Sequence, residues 1–200
     1  MITYLNDDSF FTNIHIPGQL GWLTISKWIE GKNVPNFRFI HDEESDSNFL
    51  SLKEKLEIYP GIKTFSMVIN PWARALLCYD SLSKIDTPFL KYFDFTNFES
   101  FVLSWPDTQF ENYWFKLSTP QIDWLEFTDD TGQLHTVDYI FRFENIDEEF
   151  NSFKSYFRQE DSSLVILDQY PDYKNVFSSE MKTKIESMFH KDIERFGYKF

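Results

Sequence analysis

One stretch decides the fold: Lys63–Ser81, which reads KTFSMVINPWARALLCYDS. An apolar run over Phe65–Ile69 stops at Asn70-Pro71, and the apolar residues beyond it recur with helical spacing. Proline suits the first turn of a helix because its missing N–H would be unpaired there anyway. The stretch therefore predicts a buried strand, an abrupt turn and a helix. These make half of a βαβ unit, and such units bind ligands at the carboxyl ends of their strands.

The composition combines enough apolar residues for a core with a strong acidic excess. Of the 200 residues, 42% are hydrophobic and 20% are aromatic, so we expect most aromatic side chains to pack in the core. The formal net charge of −13 argues against nucleic acid and anionic membranes as partners, because long-range electrostatics would repel them. The length predicts a single domain over residues 1–200.

The sequence also bears on the compartment. Cys78 is the single cysteine, which excludes an internal disulfide and fits a reducing environment. The first residues, MITYLNDDSFF, lack the basic and apolar segments of a signal peptide. No apolar run approaches the roughly 20 residues that a membrane span requires. We therefore predict a soluble, cytoplasmic protein.

A second segment has the pattern of a phosphate-binding loop. A strand pattern over Phe10–Ile16 is ended by Pro17-Gly18, and Trp22–Glu30 has helical spacing. A strand, a glycine-containing loop and a helix can hold a phosphate, since the first N–H groups of the helix are unpaired and point at the loop. Alone, this pattern is common among ordinary turns.

The two segments resemble motifs of the carbohydrate-type sulfotransferases, which use 3′-phosphoadenosine-5′-phosphosulfate (PAPS). Residues 15–29, HIPGQLGWLTISKWI, are similar to the family's 5′-phosphosulfate loop, H-I-P-K-T-G-G-T-S, and Pro17 and Gly21 match. Gly18 stands at the lysine position. With a loop one residue longer, Thr24 takes the place of the family's serine, and we prefer this alignment to the ungapped one.

The Val68–Tyr79 segment resembles the family's V-R-N-P-[WY]-D-R-L-V-S-x-Y, and it retains Asn70 and Arg74. In the family, the arginine before Asn-Pro and the serine eight residues later bind the 3′-phosphate. Here these two positions are Ile69 and Leu77. The frame of the motif is kept, but two of its phosphate contacts are absent.

Three later segments resemble the family in its own order. Pro120–Leu125 is similar to P-Q-x-x-[YW]-L, and Val137–Ile146 to V-D-x-I-x-R-[FY]-E-[ND]-L. The tail over Ser178–Phe200 is similar to the family's C-terminal helix. The resemblance implies an α/β fold of the three-layer, P-loop-like sulfotransferase type, with a central, mainly parallel sheet flanked by helices.

The resemblance also implies a site. The cofactor-binding residues that it carries over are Pro17, Gly21, Thr24, Asn70 and Arg74. His41 follows a predicted strand over Asn36–Ile40, and in several relatives a histidine there is the base on the acceptor hydroxyl, a task that suits imidazole. The alternative for His41 is a surface-loop residue, and Arg74 could instead brace its helix. The acidic run over Asp42–Asp46 lacks the spacing of a calcium loop, so we predict no metal.

The absent contacts shape the expected function. The family transfers a sulfuryl group from PAPS to a carbohydrate or other hydroxyl acceptor. Loss of an electrostatic contact such as the loop lysine costs about 3–4 kcal/mol of barrier. Loss of the arginine costs about 1.5–3 kcal/mol of binding. PAPS is thus the expected cofactor, with weak binding and weak or no catalysis; an inactive protein would act through a protein partner.

Two alternatives remain. The first is an active, divergent sulfotransferase with a small-molecule or carbohydrate acceptor, His41 as base and relocated cations. The candidate replacement cations are Lys27, Arg38, Lys63 and Arg74. The second is a transferase that uses a less charged donor in the same cleft.

The remaining patterns predict elements. Helices are predicted over Leu50–Glu57 and within Phe93–Trp105, the latter capped by Thr96 or Asn97. Val137–Phe143 reads as a strand on which Arg142 and Glu144 share one face as a structural ion pair, and a helix with a phenylalanine stripe follows.

One long helix is predicted over Ser178–Phe196, with a serine cap and Gly197 just beyond its end. Its core positions are Met181, Ile185, Phe189 and Ile193.

Overall fold

The computed structural model describes residues 9–13, 37–39, 50–84, 93–105, 117–154 and 170–200. Within them the strands are β1 Ser9–Asn13, β2 Phe37–Phe39, β3 Lys63–Val68, β4 Glu126–Thr128, β5 Leu134–Thr136 and β6 Tyr139–Arg142. The helices are α1 Leu52–Ile58, α2 Pro71–Leu82, α3 Phe98–Ser104, α4 Ile122–Leu125, α5 Ile146–Lys154, α6 Ser179–Met188 and α7 His190–Phe196. A 3₁₀ turn over Phe143–Asn145 precedes α5.

These elements form a mixed α/β structure that contains a small parallel sheet, so the predicted α/β class is confirmed. The chain divides into two units, Met1–Val68 with Trp124–Gln169, and Ile69–Asp123 with Tyr170–Phe200. The P-loop-like sulfotransferase architecture and the single domain over residues 1–200 stay predictions.

The first unit is built on a four-stranded sheet in the order β2-β1-β3-β6, and all three pairings are parallel. In the last pairing, Phe65 lies opposite Tyr139 and Val68 opposite Arg142. Every residue of β3 after Lys63 is buried, as expected of a central strand in a parallel sheet. The strand predicted from the decisive stretch is therefore confirmed.

Aromatic residues attach α5 to one face of this sheet. The ring of Phe153 in α5 lies 6.3 Å from that of Phe65 and 4.9 Å from that of Phe141, between ring centroids. Phe141 is paired with Met67, which is two residues from Phe65 on β3. Because side chains alternate along a strand, Phe65 and Phe141 lie on the same face of the sheet. The phenylalanine stripe of the predicted helix thus forms the contact.

Asp138 ties the amino ends of β3 and β6 together. One carboxylate oxygen accepts hydrogen bonds from the N–H and hydroxyl of Thr64 at 2.9 and 3.0 Å, and the other pairs with Lys63 at 2.7 Å. Asp138, which lies in the predicted strand over Val137–Phe143, therefore fixes the pairing of β3 and β6 at this edge of the sheet.

A short antiparallel hairpin, β4–β5, precedes β6. Asp129 closes its turn, because its carboxylate accepts from the backbone N–H groups of Thr131 and Gln133 at 2.9 and 3.0 Å. Gly132 has a φ of 85°, which favours glycine. The sequence predicted neither of the two strands, which are only three residues long.

The second unit packs α2, α3, α6 and α7 around aromatic side chains. Trp105 lies at the centre of this packing: its ring lies 5.1 Å from that of Phe101 and 5.9 Å from that of Phe189, and its indole N–H donates to the Ser118 hydroxyl at 2.9 Å. Asn97 caps α3 through the N–H of Ser100, as one of the two predicted alternatives required.

The predicted helix over Ser178–Phe196 is instead two helices, so that prediction is wrong in its middle. Ser178 caps α6, but the backbone at Phe189 has φ −116° and ψ 27°, which is outside the helical region. The break turns the second helix so that Asp192 and Phe196 are buried while Ile193 is half-buried. Periodicity could not reveal this, because the apolar spacing continues across the break. Gly197 ends α7 with a φ of 67°, as predicted.

Candidate functional site

The strand order locates the first unit's candidate binding edge. The chain moves from β1 to β2 on one side, and then returns to place β3 on the other side of β1. In open parallel sheets, ligands bind outside the carboxyl ends of the strands at such a reversal of order. Here that position lies beyond Asn13, which ends β1, and Val68, which ends β3. This edge is the candidate site.

Four of the predicted site residues lie outside the described residues. Pro17, Gly21 and Thr24 follow β1 in the sequence, and His41 follows β2. A strand precedes each group, as predicted, over Ser9–Asn13 and Phe37–Phe39, and these two strands pair in parallel. The roles of these four residues stay predictions.

Asn70, the fifth residue, begins α2. Its side-chain oxygen accepts from the N–H of Trp72 at 3.0 Å, and its amide nitrogen donates to the carbonyl of Lys199 at 3.3 Å. The residue is 4% exposed, and Pro71 occupies the first helical position, as the sequence predicted. The Asn-Pro pair therefore stabilises the start of the helix, and a contact from Asn70 to a cofactor stays a prediction.

Arg74, the sixth residue, is 1% exposed inside the second unit. One guanidinium nitrogen donates to the carbonyl of Thr119 at 3.3 Å, and the guanidinium carbon lies 5.2 Å from the centre of the Phe189 ring. Burial lowers the pKa of Arg74, and the nearby charge of Asp192 opposes this effect. This geometry is that of a bracing residue, the alternative that the sequence left open; its contact with a cofactor stays a prediction.

Ile69 occupies the position at which the resembled family has its phosphate-binding arginine, and here it is fully buried. The side chain of Gln121 binds both of its backbone groups: Oε1 accepts from the Ile69 N–H at 3.0 Å, and Nε2 donates to the Ile69 carbonyl at 2.8 Å. Ile69 thus serves the core of the second unit. Leu77, at the serine position, is half-buried.

Asp192 holds Gln121 in place and was missed by the sequence reasoning. Its carboxylate accepts from the backbone N–H groups of Gln121 and Ile122 at 2.8 and 2.9 Å, and it is 0% exposed. Burial raises the pKa of Asp192, while the charge of Arg74 and these hydrogen bonds lower it. Both residues belong to segments that resemble the family, but neither stands out from its neighbours in the sequence.

Two of the candidate replacement cations can be placed as side chains. Lys63 begins β3, so it lies at the amino edge of the sheet, opposite the candidate site, where it pairs with Asp138. Arg74 is the buried residue described above. Arg38 lies within β2 opposite Phe10, and Lys27 is outside the described residues.

Arg142 and Glu144 do not form the ion pair that the sequence predicted. No ion pair joins them among the described residues, because the extended backbone ends at Arg142 and a 3₁₀ turn begins at Phe143. Alternation of side chains between faces, on which the prediction depended, does not continue through such a turn. Arg142 is exposed, and its backbone N–H donates to the carboxylate of Glu149.

Over the described ranges, no three His, Cys, Asp or Glu side chains lie close enough together to hold a metal ion. None of the described helices has both the length and the apolar character needed to cross a membrane.

No protein-family model matches the sequence, and no curated protein matches it significantly. The likeness to the sulfotransferases therefore depends on the motifs quoted above.

Proposed function

We propose that this chain is a sulfotransferase-like protein that binds a phosphorylated adenosine ligand weakly and has weak or no sulfuryl-transfer activity. The observation that carries the proposal is the parallel order β2-β1-β3-β6, with the two motif-bearing segments following β1 and β3, the strands at the reversal of order. Because ligands bind at this edge in open parallel sheets, the order supports a retained binding edge.

The burial of Ile69 supports the weak part of the proposal. An isoleucine that is 0% exposed, with both backbone groups bound to Gln121, offers neither a charge nor a hydrogen-bond donor to a phosphate. A hydrogen bond to a charged group contributes about 1.5–3 kcal/mol, so the missing arginine alone weakens binding by roughly 10- to 100-fold. The net charge of −13 further opposes an anionic ligand.

The test is a calorimetric titration with adenosine 3′,5′-bisphosphate, the product that PAPS leaves after transfer. We expect a dissociation constant of about 0.1–1 mM at low salt, and weaker binding as salt screens the local cations. Adenosine, which lacks phosphates, is the control and should not bind. If the bisphosphate does not bind at millimolar concentration, the proposal is wrong and the resemblance reflects ancestry only.

An active, divergent sulfotransferase with His41 as base is the second candidate. The observation that favours it is an exposed arginine, Arg142, at the carboxyl end of β6, where a relocated cation could act. Incubation with PAPS and a panel of hydroxyl acceptors separates the two candidates. Product formation that is lost in His41→Ala supports the active candidate, whereas bisphosphate binding without product supports the first.

A further inference from the structure

Two cations at strand ends of the first unit, Lys63 and Arg142, occupy opposite edges of the sheet. Lys63 begins β3 at the amino edge and forms an ion pair with Asp138. Arg142 ends β6 at the opposite, carboxyl edge. Among the described strand ends at that edge, which are Asn13, Phe39, Val68 and Arg142, only Arg142 is a cation.

The register fixes where Arg142 lies relative to the reversal of strand order. Its Cα is paired with that of Val68, the last residue of β3. Neighbouring strands are about 4.8 Å apart, so Arg142 starts about 5 Å from the end of β3. Asn13, the end of β1, is paired with Phe65, three residues before Val68, so Arg142 starts about 14 Å from the end of β1. Arg142 is therefore adjacent to the end of β3, one of the two strands that define the candidate site.

The backbone of Arg142 is held in place, while its side chain is exposed and unpaired within the described part of the chain. Phe141 and Phe143 on either side are 3% and 4% exposed, and Glu149 accepts the N–H of Arg142 itself. Arg142 is exposed, and its guanidinium has no hydrogen bond or ion pair with the described residues. A guanidinium carries five donors and stays charged at any physiological pH, so it can bind a phosphate or sulfate through two parallel hydrogen bonds.

The surrounding acids limit the strength of such a contact. Asp147, Glu148 and Glu149 lie in the first turn of α5, where the unpaired N–H groups of the helix stabilise them. Glu149 also experiences the charge of Arg142. The positive charge of Arg142 is therefore partly neutralised, and an anion bound beside it is held weakly.

We infer that Arg142 supplies the cationic contact to a phosphate or sulfate group bound at the carboxyl edge of the β2-β1-β3-β6 sheet. This inference rests on the proposed function and adds a binding residue to it. Arg142 would supply the positive charge that is missing at Gly18 in the loop and at Ile69. It is not one of the four replacement cations that the sequence suggested.

The test compares the wild type with Arg142→Gln and Lys63→Gln in titrations with adenosine 3′,5′-bisphosphate and with adenosine 5′-monophosphate. Both variants remove one positive charge, so they change the net charge of the protein equally. They differ in position, since Lys63 lies at the amino edge of the sheet and Arg142 at the carboxyl edge. We expect Arg142→Gln to lower affinity about 10-fold, the low end for a hydrogen bond to a charged group because the neighbouring acids partly neutralise Arg142, and Lys63→Gln to change it less than about 3-fold. Arg142→Lys keeps the charge without the planar fork and should recover part of the affinity.

The two ligands identify the phosphate that is contacted. A loss for the bisphosphate alone assigns the contact to its 3′-phosphate, and an equal loss for both ligands assigns it to the 5′-phosphate. Wild-type binding that Arg142→Gln leaves unchanged, or that Lys63→Gln weakens as much, overturns the inference while the proposed function survives. Absence of wild-type binding to the bisphosphate overturns both. Circular dichroism of each variant checks that the fold is intact.

Discussion

Gln121 and Ile69 are joined by two hydrogen bonds in opposite directions, from Gln121 Nε2 to the Ile69 carbonyl at 2.8 Å and from the Ile69 N–H to Gln121 Oε1 at 3.0 Å. A side-chain amide thus makes the pair of bonds that a neighbouring strand would otherwise make. Both residues are 0% exposed, so water cannot replace either bond.

Substitution of Gln121 by leucine should therefore be strongly destabilising. It leaves the N–H and carbonyl of Ile69 unpaired, and each buried unpaired group costs about 1–3 kcal/mol. We expect the free energy of unfolding, measured by urea denaturation, to fall by about 2–5 kcal/mol. Gln133→Leu is the matched control, because Gln133 is exposed on the hairpin turn. Equal losses in the two variants would contradict the role of Gln121.

Asp192→Asn should cost far more stability than the same change at Asp123. At position 192 the new amide presents a donor to N–H groups that now donate to the carboxylate, and it removes the charge that opposes that of buried Arg74. A buried N–H group that loses its acceptor costs about 1–3 kcal/mol, and hydrogen bonds to a charged acceptor are the stronger ones. Asp123 pairs with Lys191 at the surface, and a pair of that kind contributes at most about 1 kcal/mol. Similar unfolding free energies for the two variants would refute this assignment.

We predict that the raised pKa of the buried Cys78 thiol makes the folded protein lose stability in alkali. Burial raises its pKa from 9.0 to about 11, and the charge of Arg74 acts in the opposite direction. Since the folded pKa is the higher one, the stabilisation is fully present below pH 9 and is lost as the pH rises through 11. The advantage of the wild type over Cys78→Ala should shrink by roughly 2–3 kcal/mol across this interval.

Denaturation in urea at several pH values measures this difference, and the variant corrects for the lysines and tyrosines that titrate in the same range. A thiol reagent should also react with Cys78 in denaturant and hardly at all in the folded protein, since the residue is 3% exposed. A difference in stability that does not change between pH 9 and pH 11 would contradict the raised pKa.

At the amino edge of the parallel sheet, Asp138 should matter more than the lysine with which it pairs. Asp138→Ala removes the acceptor of the Thr64 N–H, and Thr64 is 1% exposed, so we expect a loss of about 1–3 kcal/mol. Lys63→Ala removes only an ion pair whose lysine side chain is 47% exposed, for at most about 1 kcal/mol. Thermal unfolding of both variants measures the two losses of stability. A greater loss in Lys63→Ala than in Asp138→Ala would contradict the role of Asp138.

Ile69→Arg, which restores the family residue, should destabilise the protein rather than repair it. The isoleucine side chain is 0% exposed, and burial of an unpaired guanidinium costs several kcal/mol even after relaxation. We expect a fall of about 3 kcal/mol or more in unfolding free energy and no gain in bisphosphate affinity. Leu77→Ser is the control at the second position that differs from the family motif, where the side chain is half-buried. A stable Ile69→Arg protein with tighter binding would show that the pocket can still form.

Local patterns in the sequence were sufficient for much of the fold. The apolar run ending at Asn70-Pro71 predicted β3 and the start of α2, and Asn97 and Gly197 marked helix ends through their ordinary capping chemistry. These signals depend on the residue and its immediate neighbours, so tertiary context did not alter them.

Features that depend on distant residues were not predictable. The break at Phe189 arises where a fully buried ring meets Trp105, which is 84 positions earlier in the chain, at a ring distance of 5.9 Å. The buried roles of Gln121 and Asp192 arise from hydrogen bonds that join segments about 70 residues apart. Hydrophobic periodicity carries no information on any of these contacts.

The position of β3 between two parallel neighbours has a consequence for synthesis on the ribosome. Its partner on one side, β1, is made first, but Tyr139 of β6 follows Val68 by 71 positions. At a synthesis rate of about 5–20 residues per second, the open side of β3 waits roughly 4–14 s for its strand. During this interval an unpaired apolar edge that contains Phe65, Met67 and Val68 can pair with another nascent chain. Slower synthesis or a higher expression temperature should therefore favour aggregation over formation of the native sheet.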